Sequence, residues 1–355
     1  MFSFLNKNSN ISILNIIIFL LAIKFIIYIF ISIGLFEIQL GGGSDANYYH
    51  QYAIGDIYIS TSIWPVILAY LNKMNLYSRE VISYILFIIN LIFIPLLLNK
   101  VIGLSFHRQQ KIYLYSFLLI SFYPTLYFYS FDIYRDIFMM LFFLIGCFFV
   151  KESINNSNFL GFLFYLIISF LIGIFLYKIR PYLGYAFLGA LFLWRIKFTK
   201  KRIIFLGVLY LFMLFIINYF GFLNSLTEYR SGFDEISGGS TLGLNFSNPV
   251  MFVPNFILSM LGQLLGLYIT NPMALALFFL ETIPFIFMLK YIINNIKYAD
   301  GFVRFLIMFF ILYGSVWLIG NDNLGTAVRL RMFNYVAVYI CFFYILRLKT
   351  QLSLH

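Results

Sequence analysis

The stretch ILNIIIFLLAIKFIIYIFISIGLF, residues 13–36, is the first long apolar run of this chain. At 1.5 Å per residue it is long enough to cross a bilayer hydrocarbon core of about 30 Å. No small-residue cleavage site follows it, so it predicts an uncleaved first transmembrane helix. The interior Lys24 would cost about 2.5–3.5 kcal/mol at the centre of a bilayer, and we expect it to face protein or to reach toward the interface.

The composition of the whole chain supports the same class. Of 355 residues, 63% are hydrophobic and only 10% are charged, and the mean hydropathy is +0.94. These values exceed what a soluble core can bury and predict an all-α polytopic membrane protein. The net charge of +11 is explained by Lys and Arg kept on the cytoplasmic side, so nucleic acid is not a predicted partner. Cys147 and Cys341 lie in apolar runs and predict no disulfide.

Further apolar runs recur along the chain and predict about ten transmembrane helices within a single integral membrane domain, residues 1–355. The interpretation of residues 250–270 is open between a span, a surface helix and a re-entrant segment. Beyond residues 13–36, the predicted spans are 81–99, 112–129, 137–150, 159–177, 183–196, 203–221, 273–294, 303–320 and 332–347.

The positive-inside rule orients these spans. With both termini in the cytoplasm, most basic residues fall on the cytoplasmic side, residues 37–79 become the first periplasmic loop, and residues 221–254 become a later large periplasmic loop. Several basic residues nevertheless fall outside, against this trend, and need another explanation. They are Arg135, Lys178, Arg180, Arg230, Arg329 and Arg331.

The first periplasmic loop opens with GGGSDANYYHQYA, residues 41–53, and continues to a segment at 60–75 that is too interrupted to span. We predict two helices lying on the membrane surface. Asp45 could be a helix N-cap, as could Ser44, or it could be a general base that takes a proton from a sugar hydroxyl. Around it, Tyr48, Tyr49 and Tyr52 could stack on sugars and His50 could donate a hydrogen bond. Neither a metal nor another cofactor is predicted.

Two of the outer basic residues, Arg329 and Arg331, lie in NDNLGTAVRLR, residues 321–331, at the start of the last span. A helix dipole disfavours cations there by about 0.3–1 kcal/mol, whereas backbone N–H groups and guanidinium groups together suit a phosphate or diphosphate. Pairing with Asp322 or with lipid headgroups is the alternative. Lys178 and Arg180 lie in a short outer turn before Pro181, and could either bind an anionic ligand or anchor the protein to lipid headgroups.

A third polar group consists of Asp132, Arg135 and Asp136, whose spacing would place them on one face of a helix. They form either an internal ion-pair group or the edge of a sugar- or phosphate-binding site. The large periplasmic loop at 221–254 contains Arg230 and the glycine pair at 238–239, and is either a mobile cover over a site or a passive connector. Glu281, inside an apolar span, is expected to face protein or a cavity.

Two short motifs resemble a known family. The run SDAxYYHxxA at 44–53, just after the first span, looks like the GT-C superfamily of polyprenyl-phosphate-dependent membrane glycosyltransferases. The run GTAxRxR at 325–331 is similar to the O-antigen and capsule polymerase-like members. The resemblance implies a GT-C-like fold and an active site on the periplasmic face of the bacterial inner membrane. The chain has a single Asp where other members have an acidic pair, and no soluble C-terminal domain, which argues against oligosaccharyltransferases.

The resemblance also implies an activity. Asp45 would act on the acceptor, and Arg329 with Arg331 would hold the lipid-linked phosphate, in an inverting transfer that polymerises undecaprenyl diphosphate-linked repeat units. The implied partners are that lipid-linked oligosaccharide, membrane lipid, a chain-length regulator and a flippase. Two alternatives stay open: a transferase that adds one sugar from undecaprenyl phosphate-sugar, and a lipid-linked glycan flippase or transporter. A transporter would carry ionisable residues along a path through the membrane.

Overall fold

The computed structural model describes residues 9–35, 43–235 and 240–352, and within these ranges the chain is built from helices and their connections. The helices are numbered α1 to α15 in chain order. Their bounds are α1 Asn10–Ser32, α2 Gly43–Ile54, α3 Ile63–Lys73, α4 Arg79–Ile102, α5 Gln110–Ser121, α6 Pro124–Phe128, α7 Arg135–Asn155, α8 Phe159–Ile179, α9 Pro181–Leu193, α10 Lys200–Tyr219, α11 Asn224–Glu235, α12 Pro249–Leu264, α13 Pro272–Asn294, α14 Gly301–Gly320 and α15 Leu324–Leu352.

The described residues contain eight helices long and apolar enough to cross a membrane, namely α1, α4, α7, α8, α10, α13, α14 and α15. This finding confirms the polytopic α-helical class. The predicted span at 112–129 is instead two helices, α5 and α6, because Pro124 lacks an N–H group and starts a new helix. The predicted span at 183–196 is α9, of 13 residues. The total of ten spans therefore stays a prediction.

Several of the long helices expose most of their apolar side chains. In α8, only 17% of the most apolar 18-residue stretch is buried within the protein, and in α10 only 11%. Contiguous apolar surfaces of this size are rare on soluble proteins. The described part of the chain is thus a multi-pass α-helical membrane protein, with these faces suited to lipid.

The chain divides into two compact units, Met1–Gly184 and Tyr185–His355. In the first unit, α7 packs along α8, and α1 packs on α5. Tyr28 of α1 also stacks on Phe87 of α4, with ring centroids 4.0 Å apart. Lys24 of α1 is buried, donates to the carbonyl of Ser121, and lies 4.3 Å from the ring centroid of Tyr127. The expectation that Lys24 faces protein is confirmed.

The second unit is organised around α15, in which 78% of the most apolar 18-residue stretch is buried. The helices α12, α13 and α14 all pack against it, and Phe285 of α13 stacks on Tyr335 of α15 at a centroid distance of 4.1 Å. Residues 250–270 form α12, which is shorter than 18 residues and ends in a π-helical turn, Met260–Leu264, followed by irregular chain. The single membrane domain, residues 1–355, stays a prediction.

Two short helices, α2 with 12 residues and α3 with 11, connect the first and second long apolar helices and pack against each other. The prediction of two non-spanning helices in this loop is confirmed, and the second falls inside the predicted segment at 60–75. Their position on the membrane surface stays a prediction. The glycines at 41–42 lie outside the described residues.

Candidate functional site

Asp45 lies in the first turn of α2. The helix begins at Gly43, so Asp45 is inside the helix, and its interpretation as the N-cap is wrong. The side chain of Ser44, the other predicted cap, is outside the described part of the chain. A carboxylate in a first turn interacts favourably with the helix dipole, by about 0.3–1 kcal/mol. Asp45 is half-buried, so its carboxylate can contact both protein and a ligand.

The tyrosines after Asp45 differ in what they can offer a sugar. Tyr49 is only 2% exposed and faces the protein interior, so its ring presents no face for stacking, contrary to the prediction. The hydroxyl of Tyr48 donates to the carbonyl of Ile59 at 2.8 Å and accepts the N–H of Thr61 at 3.1 Å. Tyr48 therefore fixes the connection between α2 and α3. Tyr52 is half-buried and keeps part of its surface accessible.

His50 is oriented by Tyr77. The Nδ1 atom of His50 and the Tyr77 hydroxyl are 2.9 Å apart, and the two rings are stacked at 5.9 Å between centroids. Burial raises the pKa of Tyr77 to about 12, so the phenol keeps its proton at physiological pH. With Tyr77 at Nδ1, Nε2 is the ring nitrogen of His50 that remains to face a ligand. His50 can then donate a hydrogen bond, which is the role predicted for it.

An ion pair between Arg79 and Asp132 joins three segments of the first unit. Arg79 Nε donates to Asp132 Oδ1 at 2.9 Å, and Arg79 Nη2 donates to Oδ1 of Asn47 in α2 at 3.0 Å. Asp132 precedes α7, which begins at Arg135, so it does not share a helix face with Arg135 and Asp136 as predicted. The pair fixes the position of α2 relative to the starts of α4 and α7.

The start of α7 also meets the end of α8. Asp136 is fully buried, and its Oδ1 lies 3.6 Å from Nη1 of the buried Arg180. Arg135 donates to the carbonyl of Ile179 at 3.1 Å. Arg180 is therefore part of the protein interior and does not lie on the surface as a headgroup anchor would. Lys178 lies in the last helical turn of α8, not in the connection between two helices as predicted, and it is exposed.

In the second unit, Arg230 of α11 binds Asp322, and both side chains are buried. Arg230 Nη1 also donates to the carbonyl of Leu318 at 3.0 Å and to that of Asn321 at 2.7 Å. The other oxygen of Asp322, Oδ2, accepts the N–H of Gly243 at 2.9 Å. Buried charges are tolerated when they are paired and hydrogen-bonded in this way. The partner that the structure gives Asp322 is thus Arg230.

The same contacts hold in place part of the connection between α11 and α12. Arg230 Nε donates to the carbonyl of Leu244 at 3.0 Å, and the guanidinium lies 4.6 Å from the ring centroid of the buried Phe246. A β-bridge joins Thr241 to Asn323. Residues 240–246 are therefore attached to the end of α14 and the start of α15, which argues against a mobile cover there. The glycine pair at 238–239 lies outside the described residues.

Arg331 of α15 binds Glu281 of α13 at 3.2 Å between Nη2 and Oε2, and both side chains are buried. The expectation that Glu281 faces protein is confirmed. Glu281 lies in a π-helical turn, Phe278–Thr282, a local widening that is frequent at functional sites. A Cβ atom on Gly266 would lie 2.6 Å from Nη1 of Arg331, so a larger residue there would displace the guanidinium. Arg329, two residues earlier, is also buried.

The predicted residues thus fall into two groups, one in each unit. Arg79, Tyr77 and Glu281 were not among the predicted site residues. Arg79 could have been found by the signal used for Arg329, since a cation in the first turn of a helix opposes the helix dipole. The first unit holds Asp45, Tyr48, Tyr49, His50, Asp132, Arg135, Asp136, Lys178 and Arg180, and the second holds Arg230, Asp322, Arg329 and Arg331.

Comparisons with known proteins do not extend this description. No protein-family model, no curated protein and no solved structure matches the chain. The class to which the chain belongs is therefore defined by its own structure: a multi-pass α-helical membrane protein. Two short helices follow its first apolar helix, and buried Arg–carboxylate pairs lie in both units.

Proposed function

We propose that this protein is a GT-C-like membrane glycosyltransferase that polymerises polyprenyl diphosphate-linked glycan repeat units, as in O-antigen or capsule synthesis. The observation that carries the proposal is the pair of short helices, α2 and α3, between the first two long apolar helices, with Asp45 in the first turn of α2. Polar side chains that follow an apolar helix in sequence suit a substrate with a lipid tail and a sugar headgroup.

In the proposed reaction, Asp45 accepts the proton of a hydroxyl group on the acceptor glycan. The hydroxyl oxygen attacks the anomeric carbon of the donor glycan from the face opposite the diphosphate, which inverts that carbon. The bond from the anomeric carbon to the diphosphate oxygen breaks, and the diphosphate leaves with the bonding electrons. His50 can donate a hydrogen bond to the acceptor, since Tyr77 occupies its Nδ1 atom.

Stabilising the leaving diphosphate requires cations. The sequence motif assigns this role to Arg329 and Arg331, and one well-placed donor is worth about 3 kcal/mol in such a transition state. Arg331 already binds Glu281, so in this account it has a structural as well as an electrostatic role. The reaction takes place on the periplasmic face of the bacterial inner membrane, with both termini in the cytoplasm and about ten spans.

A second candidate function, a lipid-linked glycan flippase, is favoured by one observation. Glu281 and Arg331 are ionisable groups inside α13 and α15, two of the helices suited to cross a membrane. Intramembrane charges often mark a transport path. The glycosyltransferase is preferred because Asp45 and His50 are grouped in α2, outside the long apolar helices.

Glycan ladder gels from a strain lacking this gene test the proposal. We expect the deletion strain to accumulate single repeat units, and a plasmid copy of the wild-type gene to restore long chains. Loss of the single units as well would overturn the polymerase assignment. Incomplete units on the cytoplasmic or periplasmic lipid carrier would indicate the single-sugar transferase, and complete units confined to the cytoplasmic leaflet would indicate the flippase.

A further inference from the structure

The second unit contains a cleft of about 430 Å³ between α10, α13, α14 and α15. Its wall consists of aliphatic and aromatic side chains together with Gly207 and Cys341. The one hydroxyl group in the wall, that of Tyr210, already donates to Ser315 at 2.7 Å. The volume is typical of small-ligand pockets, but such pockets usually contain several polar groups that orient a ligand. A wall without them suits a hydrocarbon chain.

The length of the cleft fits one leaflet of a bilayer. On α10 the lining residues extend from Ile203 to Met213. At 1.5 Å per residue this distance is about 15 Å, which is half of a hydrocarbon core of about 30 Å. A lipid whose headgroup lies at one end of the cleft can therefore place one acyl chain along it.

One end of the cleft is strongly basic. Its lining residues Ile196, Phe198 and Ile203 lie in sequence among exposed lysines and arginines. We call this group of cations the basic end. Among the described residues, none of these cations forms an ion pair with a carboxylate. Clusters of Lys and Arg beside a transmembrane helix attract anionic lipids by about 1 kcal/mol per residue. The basic end consists of Arg195, Lys197, Lys200, Lys201 and Arg202.

We propose that the cleft is a binding site for one anionic glycerophospholipid, with an acyl chain along α10 and the headgroup phosphate at the basic end. A zwitterionic lipid fits less well because its cationic group would lie among like charges. A polyprenyl chain fits less well because it is longer than the single leaflet that the cleft covers. The site is independent of the proposed glycosyl transfer, since it uses no residue of that reaction.

Native mass spectrometry of the full chain in detergent tests the headgroup. Titration with palmitoyl-oleoyl phosphatidylglycerol is expected to give binding about tenfold tighter than titration with the phosphatidylcholine of the same chains. The pair Lys200→Gln with Lys201→Gln should remove this preference. The matched pair Lys73→Gln with Arg108→Gln, which changes two exposed cations of the first unit, should keep it.

The acyl-chain position is tested by filling the cleft. Gly207 lines the cleft, and a Cβ atom there would have no heavy atom within 4 Å, so Gly207→Phe can place its ring in the cleft without a backbone clash. We expect this variant to lose most of the bound phosphatidylglycerol. Val208→Phe is the control, because Val208 is the next residue on α10, is 64% exposed and does not line the cleft.

Three results would overturn the proposal. The first is equal affinity for phosphatidylglycerol and phosphatidylcholine, and the second is equal lipid retention by Gly207→Phe and Val208→Phe. The third is displacement of phosphatidylglycerol by an equimolar amount of undecaprenyl phosphate, which would assign the cleft to the polyprenyl lipid. If Gly207→Phe cannot be purified, the proposal is still tested by the two double substitutions of cations and by the competition between phosphatidylglycerol and undecaprenyl phosphate for the wild-type protein.

Discussion

Replacing Asp322 with Ala is expected to destabilise the second unit by about 3–5 kcal/mol, the range found when one partner of a buried ion pair is removed. Asp322 binds the buried guanidinium of Arg230 and also accepts the N–H of Gly243. The substitution removes both interactions and opens a space next to a buried cation. Because these contacts attach residues 240–246 to α14 and α15, we expect this part of the chain to loosen first.

The matched control is Asp132→Ala in the first unit. Asp132 also pairs with an arginine, Arg79, but the two side chains are 25% and 28% exposed, so the loss is expected to be about 0–1 kcal/mol. Thermal unfolding monitored with a thiol-reactive dye reports on both units, since Cys147 and Cys341 are buried. Equal shifts in unfolding temperature for the two variants would contradict the structural role assigned to Asp322.

Glu281→Ala is expected to cost a similar amount, about 3–5 kcal/mol, because it removes a carboxylate that binds the buried Arg331. The change also leaves a cavity, because the side chain of Glu281 is fully buried. The same thermal assay measures the loss. An unfolding temperature within error of the wild type would show that the pair does not hold α13 and α15 together.

The double variant Glu281→Met with Arg331→Met separates structure from chemistry. Replacing both members of a buried ion pair with apolar side chains of similar size is often neutral or stabilising, so we expect stability to recover. If Arg331 also stabilises the leaving diphosphate, the stable double variant still fails to form long glycan chains. Full chain extension by this variant would restrict Arg331 to a structural role.

The sequence predicted the class of the fold because span length and hydropathy depend only on neighbouring residues. It also predicted α2 and α3, since the polar run at 41–53 and the interrupted segment at 60–75 cannot cross a bilayer. It did not predict that the apolar run at 112–129 is interrupted, although Pro124 is the local cause. The widened π-helical turns of α12 and α13 leave no signal in hydropathy.

The sequence predicted the partners of charged side chains less well than it predicted helices. The spacing of Asp132, Arg135 and Asp136 predicted one helix face, but Asp132 precedes the helix and binds Arg79, 53 positions away in sequence. Arg331 and Glu281 are 50 positions apart. Such pairs are fixed by how helices pack, and a single sequence contains no direct record of packing. An unusual charge, such as Glu281 in an apolar run, showed only that a partner is required.

The glycan ladder produced by Asp45→Asn tests the central claim, which is that the Asp45 carboxylate deprotonates the acceptor hydroxyl. Asparagine keeps the size of the side chain and removes its basicity.

Asp56→Asn is the matched control, because Asp56 is an exposed carboxylate in the same loop, beyond the end of α2. Equal amounts of each variant in the membrane are established by immunoblot. We expect Asp45→Asn to leave single repeat units, with chain extension reduced at least about 100-fold, and Asp56→Asn to give wild-type chains. Long chains from Asp45→Asn would contradict the account.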